Sequence, residues 1–344
     1  MKVLITGTGK FASHFLNGLD RTCPPGTQVT VAGRTDAYVT RFYNDFNRTG
    51  RAGRLLLETL CLDYYSEVAL TGLLRRVKPD LIICAHSHFS PAEKNGATRW
   101  GEFLRRSPFG ITLPLQITGL LPLCRAAKAT GLDHVPLINT CYPDVANSLL
   151  RLMGYKVTIG LGNVHTLFSL VSARLKQDIL LAGHHFHLTQ PASNSSDVVL
   201  LDGKSPCGPV ATALRFVRAM PREELNRAGA EAGGQLAGLL AAGERVIASL
   251  PGPLGLIGGY PVIAQGWRFE LAGMPASIAE FSKMNEQMTE LEGITLRPDS
   301  VSFHSGDIRF PAYPGHCNPV KFSDWDSFSH EIRALREELM NEKI

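Results

Sequence analysis

The sequence predicts an α/β fold with a doubly wound parallel sheet. Three observations predict it: short apolar runs, helical periodicity between them, and a glycine turn directly after the first run. Lys2–Thr6 reads as the first strand, and the segment Lys10–Leu19 carries Phe11, Phe15 and Leu19 at helical spacing. "TQVTVAGR" is the second strand, "RLLLETLCLD" the third and "KPDLIICAHSH" the fourth, with "YSEVALTGLLRRV" a helix between the last two. The fourth strand is apolar on both faces, as a strand covered by helices on both sides must be. A long helix is expected from Ile111 to about Ala129, followed by a fifth strand in "HVPLINT".

Composition narrows the function classes. The chain has 344 residues, 44% hydrophobic and 19% charged, with a formal net charge of +4. That is the balance of a folded globular protein with one large α/β unit or two domains. Lys and Arg are dispersed and not gathered into a stripe, so no nucleic-acid partner is expected. A strand beginning at residue 2 leaves no room for a secretory signal, and no apolar run of about 18 residues stands out to span a bilayer. Seven cysteines without a CxxC motif read as reduced thiols. Together these point to a cytoplasmic protein with no membrane segment.

The first turn, "GTGKFA", places Gly7, Gly9 and Ala12 in a GxGxxA pattern between strand and helix, the Rossmann arrangement for binding a dinucleotide. Gly7 permits the tight turn, Gly9 lets backbone approach a pyrophosphate, and Ala12 lets helix and strand pack closely. Thr8, Lys10 and Phe11 complete the phosphate-facing turn. At the end of the second strand, where an NAD enzyme usually has an acid, stand Gly33, Arg34 and Thr35. A guanidinium and a hydroxyl suit a 2′-phosphate, so NADP is expected over NAD, with Asp36 the acid if the strand runs longer. Ala85 and His86, after the fourth strand, and Asn139, in the fifth, are also expected beside the dinucleotide.

The order of later segments resembles the lactate and malate dehydrogenase superfamily over roughly residues 1 to 190. "PLINTCYPDVANSLL" is similar to that family's strand, Asn-Pro-Val-Asp turn and helix, with Asn139, Pro143 and Asp144 spread over a longer turn. "YKVTIGLGNVHTLFSLVSARL" resembles its Gly-rich turn and active-site helix, and "DILLAGHHFHL" stands where the family has Gly-Glu-His-Gly. The resemblance implies a Rossmann domain over 1–145, an α+β substrate and oligomerisation domain over 146–344, and a homodimer. It also implies an NAD(P)-dependent oxidoreductase that reduces a carbonyl or imine of a small anionic substrate. His185 matches the family's acid/base histidine, a residue type that holds and releases a proton near neutral pH. His187 shares its face if the segment is a strand, placing it to orient substrate, and His184 then faces the other way as a structural residue.

The departures are specific. The orienting aspartate of the active-site helix is missing, its place taken by His165, Thr166 and Ser169, and the arginine Arg174 lies further along. Residues 88 to 108 are expected to form a mobile lid that carries Arg99 as a carbonyl-polarising or carboxylate-clamping residue, with Trp100 beside it. Catalytic candidates are therefore His185, Arg99, His187 and His165. No metal site is assigned, although His185 with His187, His86 with His88, and Cys141 with His165 allow a rival reading. That rival is a metal- and dinucleotide-dependent enzyme similar to the family 4 glycosidases; a nucleotide-binding Rossmann protein without catalysis is another. In the carboxy-terminal half, "PREELNRAGAEAGGQLAGLLAAG" is a small-residue helix suited to close packing, and Ile278, Phe281, Met284 and Met288 form a stripe for core or subunit contact. Trp267, His304 and His316 read as structural.

Overall fold

The computed structural model describes residues 1–48, 53–188, 197–200, 205–304 and 319–343. His316 lies outside them. The amino-terminal half contains, in chain order, β1 (Lys2–Thr6), α1 (Lys10–Thr22), β2 (Thr27–Gly33), α2 (Asp36–Arg48), β3 (Leu55–Cys61), α3 (Glu67–Val77) and β4 (Leu81–Cys84). It continues with α4 (Arg99–Arg106), α5 (Leu113–Gln116), α6 (Leu120–Ala129), β5 (Leu137–Asn139), α7 (Pro143–Leu152), β6 (Ile159–Gly160) and α8 (Asn163–Leu175). The six strands form one parallel sheet in the order β3-β2-β1-β4-β5-β6. Alternation splits its side chains: Val3 and Ile5 pack with Phe15 and Leu19 on one face, and Leu4 and Ile82 pack with Leu70 and Leu123 on the other. Both faces are apolar because both are covered. The order reverses direction between β1 and β4, and that switch point opens a crevice at the carboxyl ends of the strands.

In the middle of this half the expected long helix is corrected, and the segment expected as a lid is helical and not an irregular loop. The stretch from Ile111 to Ala129 is three pieces, a 3-10 turn Phe109–Thr112, then α5 and α6, with a break at Ile117–Gly119. Its mean hydropathy of 1.2 over Phe109–Ala129 does make it long and apolar enough to cross a membrane, and 78% of that window is buried inside the fold, so its apolarity serves the core. The expected lid is also folded. Ser90 caps a 3-10 turn Pro91–Asn95 in a reciprocal capping box with Glu93, and Thr98 caps α4. Trp100 is fully buried, stacks on Phe103 and donates from Nε1 to Glu93. Glu93 in turn receives a two-pronged contact from Arg336.

The second half contains β7 (Leu181–Ala182), β8 (Val199–Leu200), α9 (Gly208–Arg218), α10 (Arg222–Ala241), β9 (Arg245–Pro251), β10 (Gly259–Gln265) and β11 (Arg268–Leu271). After these come α11 (Pro275–Leu291), β12 (Ile294–Leu296), β13 (Ser300–Phe303), β14 (Val320–Lys321) and α12 (Trp325–Asn341). Its strands pair antiparallel, in the orders β7-β8, β11-β10-β9 and β12-β13-β14, which makes this half α+β. α12 buries Phe328, Ile332, Leu335 and Leu339 in the core of the amino-terminal half. The stripe on α11 is core: Phe281, Met284 and Met288 are buried.

The small-residue helix α10 packs on α1 with no room for side chains between. A Cβ on Gly234 would lie 2.0 Å from the Phe15 carbonyl oxygen, and one on Gly18 would lie 1.9 Å from that of Glu231. Gly234→Ala must therefore push the helices apart, at a cost of about 1 to 3 kcal/mol. Gly72, exposed on α3, has nothing within 4 Å of its missing Cβ. Thermal melts are expected to show a lowered midpoint for Gly234→Ala and an unchanged or raised one for Gly72→Ala, since alanine is the better helix former. Equal effects would disprove the close contact.

Candidate active site

The glycine turn lies at the switch point with the geometry its sequence requires. Gly7 has φ 118°, and a Cβ there would come within 2.4 Å of the Ala85 carbonyl oxygen, so no other residue fits between the ends of β1 and β4. Gly9 begins α1 without a side-chain cap, and nothing stands within 4 Å of where its Cβ would be. The start of α1 thus has room at Gly9 and no side-chain cap on its first N–H groups, the situation that attracts an anion. Gly33 lacks a Cβ because Thr8 would be 2.7 Å from it. Thr8 and Val39 therefore both pack closely on the end of β2. This cradle fits a dinucleotide pyrophosphate.

Beyond β2, Arg34 and Thr35 are exposed, and the Arg34 guanidinium sits 5.4 Å from the centroid of Tyr65. Asp36 opens α2 and does not extend β2. His86 is buried, its Nδ1 3.0 Å from the Thr6 carbonyl oxygen and its ring 3.8 Å from that of Tyr64. Burial lowers its pKa to about 4. His86 therefore stands at the expected crevice as a neutral, fixed ring. Asn139 uses its side chain locally, accepting from Cys141 N–H at 2.8 Å and donating to Cys141 O and Asn147 Oδ1. It shapes the turn that leads to Tyr142.

The histidine segment departs from the expected strand. β7 ends at Ala182, Gly183 bridges to Gly259, and His185–Leu188 is a single 3-10 turn. The alternation argument fails with it. His184 and His185 are turned toward the same carboxylate, Glu292, instead of opposite faces. His187 is fully buried, and its Nδ1 accepts the His184 N–H at 2.8 Å, which makes it the clasp of this turn. His165 sits beside Ser169 Oγ at 3.3 Å and interacts with backbone at Ala232 and Ser249, outside the cluster that His184 and His185 form. Arg99 is exposed and pairs at 3.2 Å with Glu342, just past the end of the carboxy-terminal helix. The structure thus gathers His185 and His184, and disperses Arg99 and His165.

Two carboxylates complete the cluster. Glu292, at the carboxyl end of α11, is fully buried with Oε1 2.6 Å from His185 Nε2 and Oε2 3.5 Å from His184 Nε2. Asp144, in the first turn of α7, accepts the His185 backbone N–H at 3.1 Å, and its Oδ2 lies 3.8 Å from His185 Nδ1. Tyr142 donates its hydroxyl to Glu292 from a left-handed backbone, φ 48°, a strained conformation for a bulky residue that surrounding packing must impose. Burial pushes Glu292 up to about 7 and Asp144 up to about 6, and pulls His185 down to about 4 and His184 to about 3. The largest cause of each shift is the cost of a charge in a dry site, with smaller contributions from the neighbouring charges. Carboxylates absent from α8 thus reach His185 from α7 and from the end of α11.

The first turn of α10 ties this cluster to the dinucleotide cradle. Glu223 pairs with Lys10 at 2.6 Å, one residue past Gly9. Its neighbour Arg222 donates to Asn163 Oδ1 at 3.3 Å, and Asn163 Nδ2 donates to the His185 carbonyl at 2.9 Å. Two consecutive residues therefore connect to the phosphate turn on one side and to the histidine on the other. Arg222 is exposed, and its charge is felt at His185.

No family model and no curated protein matches the sequence. Solved structures do. The malate dehydrogenase from Picrophilus torridus in its apo form superposes with a TM-score of 0.50 at 13% identity, covering 85% of this chain and 96% of that one. The malate dehydrogenase from Plasmodium falciparum gives 0.50 and 13%, covering 85% and 99%. The minor L-lactate dehydrogenase from Enterococcus mundtii, in a ligand-bound form, gives 0.50 and 13%, covering 85% and 97%. From the six-stranded parallel sheet through the α+β half, the chain has the fold of the lactate and malate dehydrogenases.

Proposed function

We propose that this protein is an NADP-dependent oxidoreductase that reduces a carbonyl or imine on a small anionic substrate. The observation that carries the reading is the pair Arg222 and Glu223, which link the open N-terminus of α1 to the buried His185–Glu292 contact. Hydride would leave a nicotinamide lying along that passage. His185 is the group that exchanges a proton with the substrate oxygen or nitrogen, and Glu292 fixes its ring. Arg34 and Thr35 favour a 2′-phosphate at the other end of the cofactor. The dinucleotide part spans 1–145 and the substrate part 146–344, in a homodimer working in the cytoplasm; sedimentation analysis tests the assembly.

Arg222 takes the place of the family's substrate arginine as the clamp for an anion. Turnover of NADPH against a panel of 2-oxo acids and imines tests the reaction class, and Arg222→Leu tests the clamp. Losing a charge-assisted bond should raise KM for carboxylate substrates about tenfold or more, with NADPH affinity kept. A variant whose KM is unchanged removes Arg222 from the reading. Absence of turnover with every substrate, in protein that binds NADPH, supports the non-catalytic alternative.

A further inference from the structure

We infer that Asp144, His184 and His185 form a binding site for one divalent first-row transition-metal ion, with Glu292 as the carboxylate that orients the histidine ligands. The inference goes beyond hydride transfer and is testable without cofactor or substrate.

Several buried polar atoms around His185 make no hydrogen bond. Among the described residues, Asp144 Oδ2, His185 Nδ1 and both ring nitrogens of His184 are buried without a hydrogen bond. A buried polar atom left unpaired costs about 1 to 3 kcal/mol, so several converging in one place call for an occupant. They do converge: one ligand atom from each of the three residues lies within 4.8 Å of the others. Two imidazoles and one carboxylate are a donor set for Zn, Mn, Fe or Co, and three ligands leave coordination positions open.

The surroundings match a metal site as well as the donors do. A ligating histidine usually turns its second nitrogen to a carboxylate, and here Glu292 lies 2.6 Å from His185 Nε2, on the ring edge opposite Asp144. The same carboxylate is 3.5 Å from His184 Nε2, and the Tyr142 hydroxyl holds it from the other side. Asp144 is anchored by accepting the His185 N–H, and His184 by the bond from its backbone to His187 Nδ1. The ligands are thus held before any ion arrives. With an ion on Nδ1 and Glu292 on Nε2, His185 would have no free nitrogen, so an occupied site would polarise the substrate oxygen through the ion in place of proton exchange at His185. None of the metal pairs suggested by the sequence, His185 with His187, His86 with His88, or Cys141 with His165, belongs to this set.

The test is titration of chelator-treated full-length protein with Co²⁺, followed by visible absorption and by calorimetry. One equivalent is expected to bind with a ligand-field spectrum and to raise the thermal midpoint. His184→Gln and Asp144→Asn should abolish that binding, Glu292→Gln should weaken it about tenfold to a hundredfold, and His134→Gln on the surface should leave it intact. If His184→Gln fails to fold, Asp144→Asn carries the test. Folded wild type without saturable binding, or binding unaffected in both ligand variants, overturns the site. NADPH affinity measured on the same samples reports separately on the oxidoreductase reading.

Discussion

His185→Gln is expected to lower kcat about a hundredfold or more while leaving NADPH affinity within a few-fold of wild type. Glutamine keeps the approximate size and one hydrogen-bonding end of the imidazole but has no ring nitrogen that can take up and release a proton or serve as a comparable metal ligand. General acid/base assistance is worth about 10² to 10⁴ in rate, and that is the scale at risk. The cofactor cradle at Gly7 and Gly9 does not include His185, so cofactor binding should survive. Measuring kcat and KM separately, with a fluorescence titration of NADPH, distinguishes loss of chemistry from loss of the site. Normal turnover in this variant would move proton transfer to another group.

Arg34→Ala carries the second largest effect, on cofactor choice. Arg34 is exposed past the end of β2, with its guanidinium against Tyr65 and, among the described residues, no carboxylate pairing. Removing a charge-assisted contact with a 2′-phosphate costs about 1.5 to 3 kcal/mol, or about tenfold to a hundredfold in affinity. NADPH should weaken by that factor and NADH hardly at all. Equal weakening of both, or a native preference for NADH, contradicts the assignment and turns attention to Asp36.

The parallel sheet was legible because its strands are apolar on both faces, and because a Gly-rich turn follows the first. The position of His185 was legible only through the order of segments. Its partner was not. Glu292 arrives from α11, far along the chain, among residues that look like ordinary surface acids in "ELEGI". One hint existed: a carboxylate at a helix carboxyl end runs against the helix dipole and needs a compensating partner. The alternation assumed for "GHHFH" failed because Gly183 pairs across to Gly259 and the chain then coils into a 3-10 turn. Folding of the expected lid was readable in retrospect, since Ser90 and Glu93 have capping-box spacing. Arg222 offered no signal, because only the packing of α10 on α1 brings it to the passage.

The measurement that bears most directly on the whole account is the position of NADPH in crystals of the complex. The pyrophosphate is expected on the N–H groups at Gly9 and Lys10, the 2′-phosphate at Arg34, and nicotinamide C4 facing a space bounded by His185 and Arg222. A nicotinamide ring turned away from His185, or a dinucleotide bound elsewhere on the protein, would contradict it.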